Sequence, residues 1–409
     1  MIDRRNFINR LIQIGAGSSL LPVLLNCRNK KQINDISDEY INKIELFRYD
    51  INITRHFSWG TWYNRQHLFM KISAGDYYGW SEIPASKNNP DFDPTSWQVY
   101  LSIFKGLSIA EAFKALHSKQ RAGSKYSTKQ LEFVEMGLLD LAGRILQKPA
   151  VEILNLKARQ AIPGLYCILD NNLARIKRKA RRSIEQDLAS HMKIKMFNDI
   201  DLNIKILNLV RDILGSDAMV MSDPNRGLKS WRDLNELAQL LKNFHKNGLD
   251  AIEDPAELNI DQWIRLQTMV GELALIPDFP LRPAWLSLEK LKKGMGKIYN
   301  LHPSTMGSFS HTAKLAHKIK SMGARVMIGD DSLAGPACSA WQQIAIGAGA
   351  IWVEAIEKRG DSDKYLECLE SKPTYRNRNG QFTMDLRPGF GVEIDTEKLR
   401  NSCKVNITI

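Results

Sequence analysis

The sequence contains few cysteines, and they are not spaced as metal ligands are. Five occur in 409 residues, and the four beyond the N-terminal region are scattered: Cys167, Cys338, Cys368 and Cys403. Zinc sites built on thiolates need closely spaced cysteines, so this class of site is excluded. Cys167 lies inside an apolar stretch, which favours core packing over chemistry.

Aromatic residues are absent from the most basic stretch of the chain. The formal net charge is +12, and the block RIKRKARR at residues 175–182 follows a helical pattern without a single ring. Proteins that bind single-stranded nucleic acid combine basic side chains with aromatic residues on which bases stack. We therefore predict no nucleic-acid binding. The block is interpreted as a solvated outer helix face, with an anionic partner as the alternative.

A glycine-rich phosphate loop is missing where an open dinucleotide-binding sheet would place one, after the strand within IPGLYCILDNN. Apolar strand patterns nevertheless alternate with helical patterns from this point onward. The eight strand candidates end near Ile168, Met196, Ser222, Glu253, Asp278, His302, Ile328 and Val353. Eight such repeats predict an α/β barrel, TIM-like or a modified β/α barrel, over residues 161–365.

A different lobe is predicted before the barrel. Residues 41–160 show strand patterns joined around Gly75 and then amphipathic helices, which together indicate an N-terminal α+β capping domain. The turn-rich tail, residues 366–409, is predicted to return to this lobe. With 44% apolar and 25% charged residues, the composition is that of a folded globular chain long enough for two lobes.

The first 32 residues resemble an export leader. Arg4 and Arg5 precede an apolar run of about 15 residues, too short to span a bilayer core of ~30 Å. Paired arginines before such a run resemble a twin-arginine signal. Cys27 ends LPVLLNC like a lipoprotein acylation site, although Asn26 replaces the small residue usual there. We predict an exported protein, periplasmic or anchored by a lipid at Cys27; a disordered basic N-terminus is the alternative.

Charged side chains recur at the ends of consecutive barrel strands. Lys193 and Lys195 lie in one strand, and Asp223, Glu253 and Asp278 follow the next three. Because the carboxyl ends of parallel strands meet at one face of a barrel, we expect these side chains to converge. Three carboxylates without a Cys or His cluster favour an oxygen-binding ion, Mg²⁺ rather than Zn²⁺. The sequence therefore predicts one divalent cation held by the three acids.

Four short motifs lie in register on these strands. They are Lys-x-Lys at Lys193 and Lys195, Asp-x-Asn at Asp223 and Asn225, Glu-Asp-Pro at residues 253–255, and then Asp278. On these motifs the chain resembles the enolase superfamily, in the mandelate racemase/muconate-lactonising family and its dipeptide-epimerase branch. The likeness covers nearly all of residues 41–400, and GWSEI and FVEMGLLDLAGRILQKPAVEIL resemble the capping domain of that family.

The resemblance implies a reaction. Family enzymes remove the proton α to a carboxylate, and Mg²⁺ neutralises the charge that develops on its oxygens to give a metal-stabilised enolate. Lys195 is then the expected base, Lys193 the cation on the oxyanion side, and Asn225 a substrate contact. The pKa of a lysine must fall by ~3 units to act near neutrality, and a neighbouring ammonium and a divalent cation can supply the ~4 kcal/mol required. Two solvated surface lysines are the alternative.

The sixth strand departs from the family. It ends in His302 where this branch usually presents a second lysine, and Asp330 follows one strand later. In mandelate-racemase relatives an Asp on the sixth strand orients a His on the seventh, so the order is inverted here. We expect Asp330 to hold His302 as an acid–base unit facing Lys195 across the substrate. In the alternative, His302 only bonds a loop and the enzyme acts from one side.

Three further residues are candidate substrate contacts. Arg282 follows Phe279, which replaces a common Glu of the family, and is expected to meet either an anionic substrate group or solvent. Glu354 lies where dipeptide epimerases hold an α-ammonium. Trp59 belongs to the aromatic segment HFSWGTWY, which relatives close over substrate, with a core role as the alternative.

Together these features predict an exported, Mg²⁺-dependent enzyme that acts on a small-molecule carboxylate, first of all as a racemase or epimerase of dipeptides or acylamino acids. The alternatives are a dehydratase or cycloisomerase of the same superfamily, with His302 as the acid, and a lipoprotein that binds ligands without catalysis. A homo-oligomer is the default assembly.

Overall fold

The computed structural model describes residues 38–57, 60–229, 231–355 and 367–409. The expected leader, with Cys27, lies outside the described residues, and so does Trp59. The remaining candidate residues all fall within them.

The chain alternates short strands and helices after an initial antiparallel region. The strands are β1 (Ile41–Phe57), β2 (Gly60–Ala74), β3 (Tyr77–Lys87), β4 (Ile162–Pro163), β5 (Tyr166–Ile168), β6 (His191–Lys195), β7 (Met219–Asp223), β8 (Ala251–Glu253), β9 (Ala274–Ile276), β10 (Ile298–Leu301), β11 (Arg325–Ile328), β12 (Leu369–Ser371), β13 (Thr374–Arg376), β14 (Gln381–Met384), β15 (Glu393–Ile394) and β16 (Val405–Thr408). The α-helices are α1 (Thr95–Leu101), α2 (Ile109–His117), α3 (Thr128–Leu146), α4 (Ala150–Ile153), α5 (Leu173–Glu185), α6 (Ile200–Leu214), α7 (Leu234–Lys246), α8 (Ile260–Val270), α9 (Ala284–Lys290), α10 (Phe309–Ser321), α11 (Pro336–Ala348) and α12 (Thr396–Ser402).

The capping domain is an antiparallel sheet covered by α3. The strand order is β16–β1–β2–β3, so the last strand of the chain pairs with the first. Leu68 and Met70 of β2 pack in the same apolar cluster as α3, whereas Phe69 between them packs in a second cluster on the other face, as strand alternation requires. Gly79 faces the carbonyl of Gly137 on α3, where a Cβ would overlap it, so strand and helix approach closely.

The barrel is built from parallel strands in the order of the chain. β5 to β9 form one parallel sheet, and β10 and β11 form a second pair. The Asn300 backbone N–H donates to the Pro277 carbonyl at 3.0 Å and joins the two sheets. Val353 closes the ring by bridging both Ile328 and Gly164 in parallel. The TIM-like barrel with an N-terminal cap is therefore confirmed, with a single bridge residue in the eighth position instead of an extended strand.

Buried carboxylates of the cap accept hydrogen bonds from the first residues of barrel helices. Glu82 Oε2 accepts from the backbone N–H of Gly335 at 2.7 Å and of Ala337 at 3.1 Å, where α11 begins. Glu135 Oε2 accepts from the N–H of Phe309 at 3.0 Å, at the start of α10. The first N–H groups of a helix lack partners within the helix and attract negative charge. These bonds therefore fix the cap on the barrel.

The basic block lies on α5. Ile176, Ala180 and Ser183 are its buried residues, whereas Lys177 and Arg178 are exposed. The block is thus the outer face of a barrel helix. Among the helices of the described ranges, none is both long enough and apolar enough to cross a membrane.

Candidate active site

A cavity of about 630 Å³ lies between the cap and the carboxyl ends of the barrel strands. Phe57, Trp62 and Arg65 line it from the cap. The predicted site residues that line it are Lys193, Lys195, Asp223, Asn225, Asp278, Arg282, His302, Asp330 and Glu354. Glu253 is buried and contacts the ammonium of Lys193. The charged strand ends of the sequence thus converge on one face of the barrel.

The two lysines share a carboxylate. Lys195 Nζ contacts Asp223 Oδ2 and donates to Asn225 Oδ1 at 2.7 Å. Lys193 Nζ lies 3.2 Å from the same oxygen of Asp223 and 2.8 Å from Glu253 Oε2. Alternate side chains of a strand point to the same face. Lys193 and Lys195 have one residue between them, so both ammonium groups reach Asp223 Oδ2.

The charges at this centre are strongly coupled. Burial alone would lower the pKa of Lys193, but the carboxylates of Glu253 and Glu354 outweigh it and raise that pKa well above its ordinary value. Burial acts to raise the pKa of Asp223, and the ammonium groups of Lys195 and Lys193 outweigh burial and hold it well below its usual range. The pKa of Glu253 is raised well above its ordinary value by burial and by the negative charge of Asp223. Lys193 therefore stays a cation.

The third carboxylate, Asp278, is paired with Arg282. Arg282 Nε donates to Asp278 Oδ1 at 3.0 Å, and its Nη2 contacts Oδ2, so that both oxygens are engaged. Asp254 supports this turn by accepting from the backbone N–H of Asp278 at 3.1 Å and of Phe279 at 3.0 Å. Burial and the charge of Asp278 raise the pKa of Asp254 to about 7. Arg282 also lines the cavity, and its contact with a substrate group stays a prediction.

The three acids match a divalent cation in their chemistry. All are buried oxygen donors, close to the ends of β7, β8 and β9, and the pKa of Glu253 is raised by burial first and then by the negative charge of Asp223. In the described geometry each instead faces a cation of the protein. Across the ranges 38–57, 60–229, 231–355 and 367–409, no three acidic, His or Cys side chains are arranged to hold an ion. Mg²⁺ bound by Asp223, Glu253 and Asp278 would compete above all with Arg282, which engages both oxygens of Asp278.

His302 lines the cavity and directly follows β10. Its Nδ1 lies 2.8 Å from the carbonyl oxygen of Pro303. Because that oxygen only accepts, Nδ1 carries the hydrogen and Nε2 is the ring nitrogen left for proton transfer. Asp330 lines the same cavity and accepts from the Leu333 N–H at 3.2 Å. The acid–base unit of His302 and Asp330 stays a prediction.

Asp331, next to Asp330, links cap and barrel at the cavity. Arg65 Nη2 donates to its Oδ1 at 3.0 Å, and Lys129 Nζ lies 3.5 Å from its Oδ2. Burial acts to raise the pKa of Asp331, but Arg65, Lys129 and the nearby His302 hold it well below its usual range. The sequence motif IGDDS shows two adjacent acids without revealing which one meets the cap.

Glu354 lines the cavity and contacts the ammonium of Lys193. Its Oε2 accepts from Lys193 Nζ at 2.8 Å, and its Oε1 accepts from the Cys167 thiol at 3.1 Å. This carboxylate therefore balances the charge of Lys193. Its contact with a substrate ammonium group stays a prediction.

The geometry defines a class of protein: a capped β/α barrel with two buried lysines beside carboxylates at the strand ends. The family model described as Enolase C-terminal domain-like matches residues 175–398, more than half of the chain. The chain therefore belongs to this family, and it is an enzyme of the enolase superfamily. The resemblance seen in the sequence is confirmed.

Two curated relatives are enzymes of different types. Muconate cycloisomerase 1 of Acinetobacter baylyi is 24% identical over 332 residues, which is 80% of this chain and 85% of that protein. The N-succinyl-L-Arg/Lys racemase of Bacillus cereus is 21% identical over 268 residues, 65% of this chain and 70% of the racemase.

Solved structures share the fold. The muconate lactonizing enzyme of Pseudomonas fluorescens, complexed with muconolactone, has a TM-score of 0.75 at 18% identity, covering 90% of this chain and 100% of that one. The dipeptide epimerase of Cytophaga hutchinsonii, complexed with Mg and the dipeptide D-Ala-L-Val, has a TM-score of 0.75 at 14% identity, with the same coverage.

Proposed function

We propose that this enzyme removes the proton α to a carboxylate and returns a proton to the opposite face, as a racemase or epimerase. The observation that carries the proposal is the lysine pair at Asp223, with Lys193 locked among carboxylates and Lys195 beside it at the cavity. Lys193, whose pKa is raised, supplies fixed positive charge next to the oxygens on which negative charge develops. Lys195 is the residue left to accept the proton.

The opposite face is assigned to His302. Its Nδ1 is committed to the Pro303 carbonyl, which fixes the tautomer and leaves Nε2 to exchange a proton with the substrate. Asp330, on the loop after β11, lines the same cavity and is kept as the predicted partner of His302, acting on the ring through its negative charge because Nδ1 already bonds Pro303. A proton donor and a proton acceptor on opposite faces are what inversion at a carbon atom requires.

Asp223, Glu253 and Asp278 are the residues that would hold a Mg²⁺ ion. Such an ion, when bound, would add positive charge at the substrate carboxylate and so favour loss of the α-proton. Around it, Asn225 positions the ammonium of Lys195 by accepting its hydrogen bond. Trp59 is kept as a candidate to cover the substrate, because Trp62 from the same segment lines the cavity.

For the substrate, an N-acylated amino acid or a dipeptide is favoured. One relative is an N-succinyl-Arg/Lys racemase, and one solved structure is a dipeptide epimerase. Cycloisomerisation is the second candidate, because a muconate cycloisomerase matches over 80% of this chain. In that case His302 would supply the proton to the enolate carbon formed when the ring closes, whereas in a dehydratase it would protonate the leaving hydroxyl group.

The test is loss of the α-proton signal in deuterated water. The purified protein with Mg²⁺ is screened by NMR against N-acyl amino acids, dipeptides, acid sugars and muconate. A racemase gives deuterium at the α-carbon and both configurations of product, whereas a cycloisomerase gives a lactone. Asp223→Asn, in which the shared carboxylate is removed, is the matched control and should show neither. If ligands that bind measurably exchange no proton at all, the catalytic proposal is wrong and a binding protein remains.

We also propose export of this enzyme to the periplasm or to a lipid-anchored position. The support is the sequence alone: Arg4, Arg5 and Cys27 in the leader pattern. Cell fractionation tests it, since Arg4→Lys with Arg5→Lys should retain the protein in the cytoplasm and Cys27→Ser should release it from membranes. Wild-type protein found only in the cytoplasm would contradict it.

A further inference from the structure

A second cationic side chain, that of Arg226, lies at the same cavity and is separate from the lysine pair. Arg226 and Phe279 both line the cavity. The guanidinium carbon of Arg226 lies over the Phe279 ring, 3.8 Å from its centroid. Phe279 is 49% exposed, which is unusual for a ring of this size beside a deep cavity.

Both residues are held by the same buried acid. The backbone N–H of Arg226 donates to the Asp254 carbonyl at 2.7 Å, and the N–H of Phe279 donates to Asp254 Oδ2 at 3.0 Å. Asn225 and Arg226 are both in the left-handed backbone region, with φ of 51° and 61°. Two consecutive residues in this region carry strain that surrounding structure must offset, and such strain gathers at functional sites. The stack is therefore positioned by the backbone.

The guanidinium of Arg226 differs from the other cations of the cavity. Arg65, Lys129 and Arg282 each lie against a carboxylate. Within the described ranges, by contrast, no carboxylate forms an ion pair with Arg226. A guanidinium carries five N–H donors, and contact of its carbon with a ring does not use them as hydrogen-bond donors, so they can bind a planar anion.

We propose that Arg226, stacked on Phe279, is a subsite for a second anionic group of the substrate, a carboxylate at the end remote from the reacting carbon. The inference rests on the proposed function, because the first carboxylate is the one placed at the lysine pair. A planar carboxylate can take two parallel hydrogen bonds from a guanidinium, which a neutral amide of the same shape cannot. The enzyme would then select dianionic substrates over monoanionic ones.

The experiment measures binding of matched probes to the full protein with Mg²⁺ present, by titration calorimetry. The probes are straight-chain diacids from succinate to suberate and the monoamide of each, which keeps the shape and removes one charge. We expect at least one diacid to bind about tenfold tighter than its monoamide to the wild-type protein. In Arg226→Gln the pair should bind within about twofold of one another.

Lys87→Gln is the charge-matched control, because Lys87 lines the same cavity from the cap and is exposed. It should keep the preference for the diacid. If both variants lost the preference for the diacid equally, the positive charge of the whole cavity would explain it and the subsite proposal would be wrong. The proposal would also be wrong if the wild-type protein bound each diacid and its monoamide equally well. These outcomes are separate from the proposed function, which fails only if no bound carboxylate exchanges its α-proton.

Discussion

Arg282 engages both carboxylate oxygens of Asp278, the third of the acids assigned to the metal. Nε donates to Oδ1 at 3.0 Å, Nη2 contacts Oδ2, and only 4% of the Asp278 side chain is exposed. The pair is bidentate, which is the strongest form of such contacts. A divalent cation must therefore compete with a cation that the chain itself supplies.

The first prediction is that Arg282→Gln binds divalent cations more tightly. Glutamine keeps some of the packing volume but removes the charge that holds Asp278, so the affinity for Mn²⁺ should rise about tenfold. Electron paramagnetic resonance of free Mn²⁺ during a titration measures this directly, without substrate.

Arg226→Gln is the control for this measurement, since it removes the same charge from the same cavity without touching Asp278. Its affinity for Mn²⁺ should change by less than about twofold. If both variants bound Mn²⁺ more tightly, or if Arg282→Gln bound it more weakly, the contact of Arg282 with Asp278 would not be what competes with the metal ion.

Removing the ammonium of Lys193 should destabilise the metal-free protein more than removing that of Lys195. Lys193→Met leaves Glu253 and Glu354 facing each other without a cation, and breaking a buried pair in this way costs about 3–5 kcal/mol. In Lys195→Met, Asp223 keeps its contact with Lys193. Urea unfolding of both variants gives the comparison. Equal midpoints would argue against the bridging role of Lys193.

The free energy of unfolding should fall at acid pH because Glu135 becomes protonated. Burial favours its neutral form, but His117 and the Ser310 hydroxyl outweigh burial and lower the pKa of Glu135 to about 2 from 4.5. The folded state thus holds this group ionised where the unfolded chain takes up a proton. The resulting stability is complete above pH 4.5 and is lost as the pH falls toward 2, by about 3 kcal/mol. Urea unfolding across this range should show a shallower fall for Glu135→Gln.

Glu132, one turn earlier on α3, provides the opposite case. Burial raises its pKa to about 8, so the folded state favours the neutral form and stability declines as the pH rises from 4.5 toward 8. Glu132→Gln should reduce that decline in stability, and it should leave unchanged the loss of stability at low pH that is assigned to Glu135. Identical pH profiles for the two variants would contradict both assignments.

The positions of the site residues could be read from the sequence because they are local. A short apolar run followed by a charge marks the end of a buried strand, and barrel geometry brings such ends together. For this reason Lys193, Lys195, Asp223 and Asp278 lie at one cavity, as expected. The eighth strand candidate ends near Val353 as expected, but in the structure this position contributes only a bridge and not an extended strand.

Which cation contacts which carboxylate could not be predicted from the sequence in the same way. Whether Glu354 meets Lys193 or a substrate depends on side chains from strands far apart in the sequence, which no spacing encodes. The contact of Arg282 with Asp278 is local, four residues along the chain, yet it competes with solvent and substrate. The stack of Arg226 on Phe279 joins two loops and carries no sequence pattern.

The central claim is that Lys195 and His302 serve opposite faces of one α-carbon. The most direct measurement is exchange of the α-proton with deuterated water, followed separately for the two enantiomers of a substrate. The wild-type enzyme should exchange both. Lys195→Gln should lose exchange of one enantiomer and His302→Asn that of the other, each by about 10²–10⁴-fold. Full exchange of both enantiomers and full turnover in His302→Asn would contradict the account.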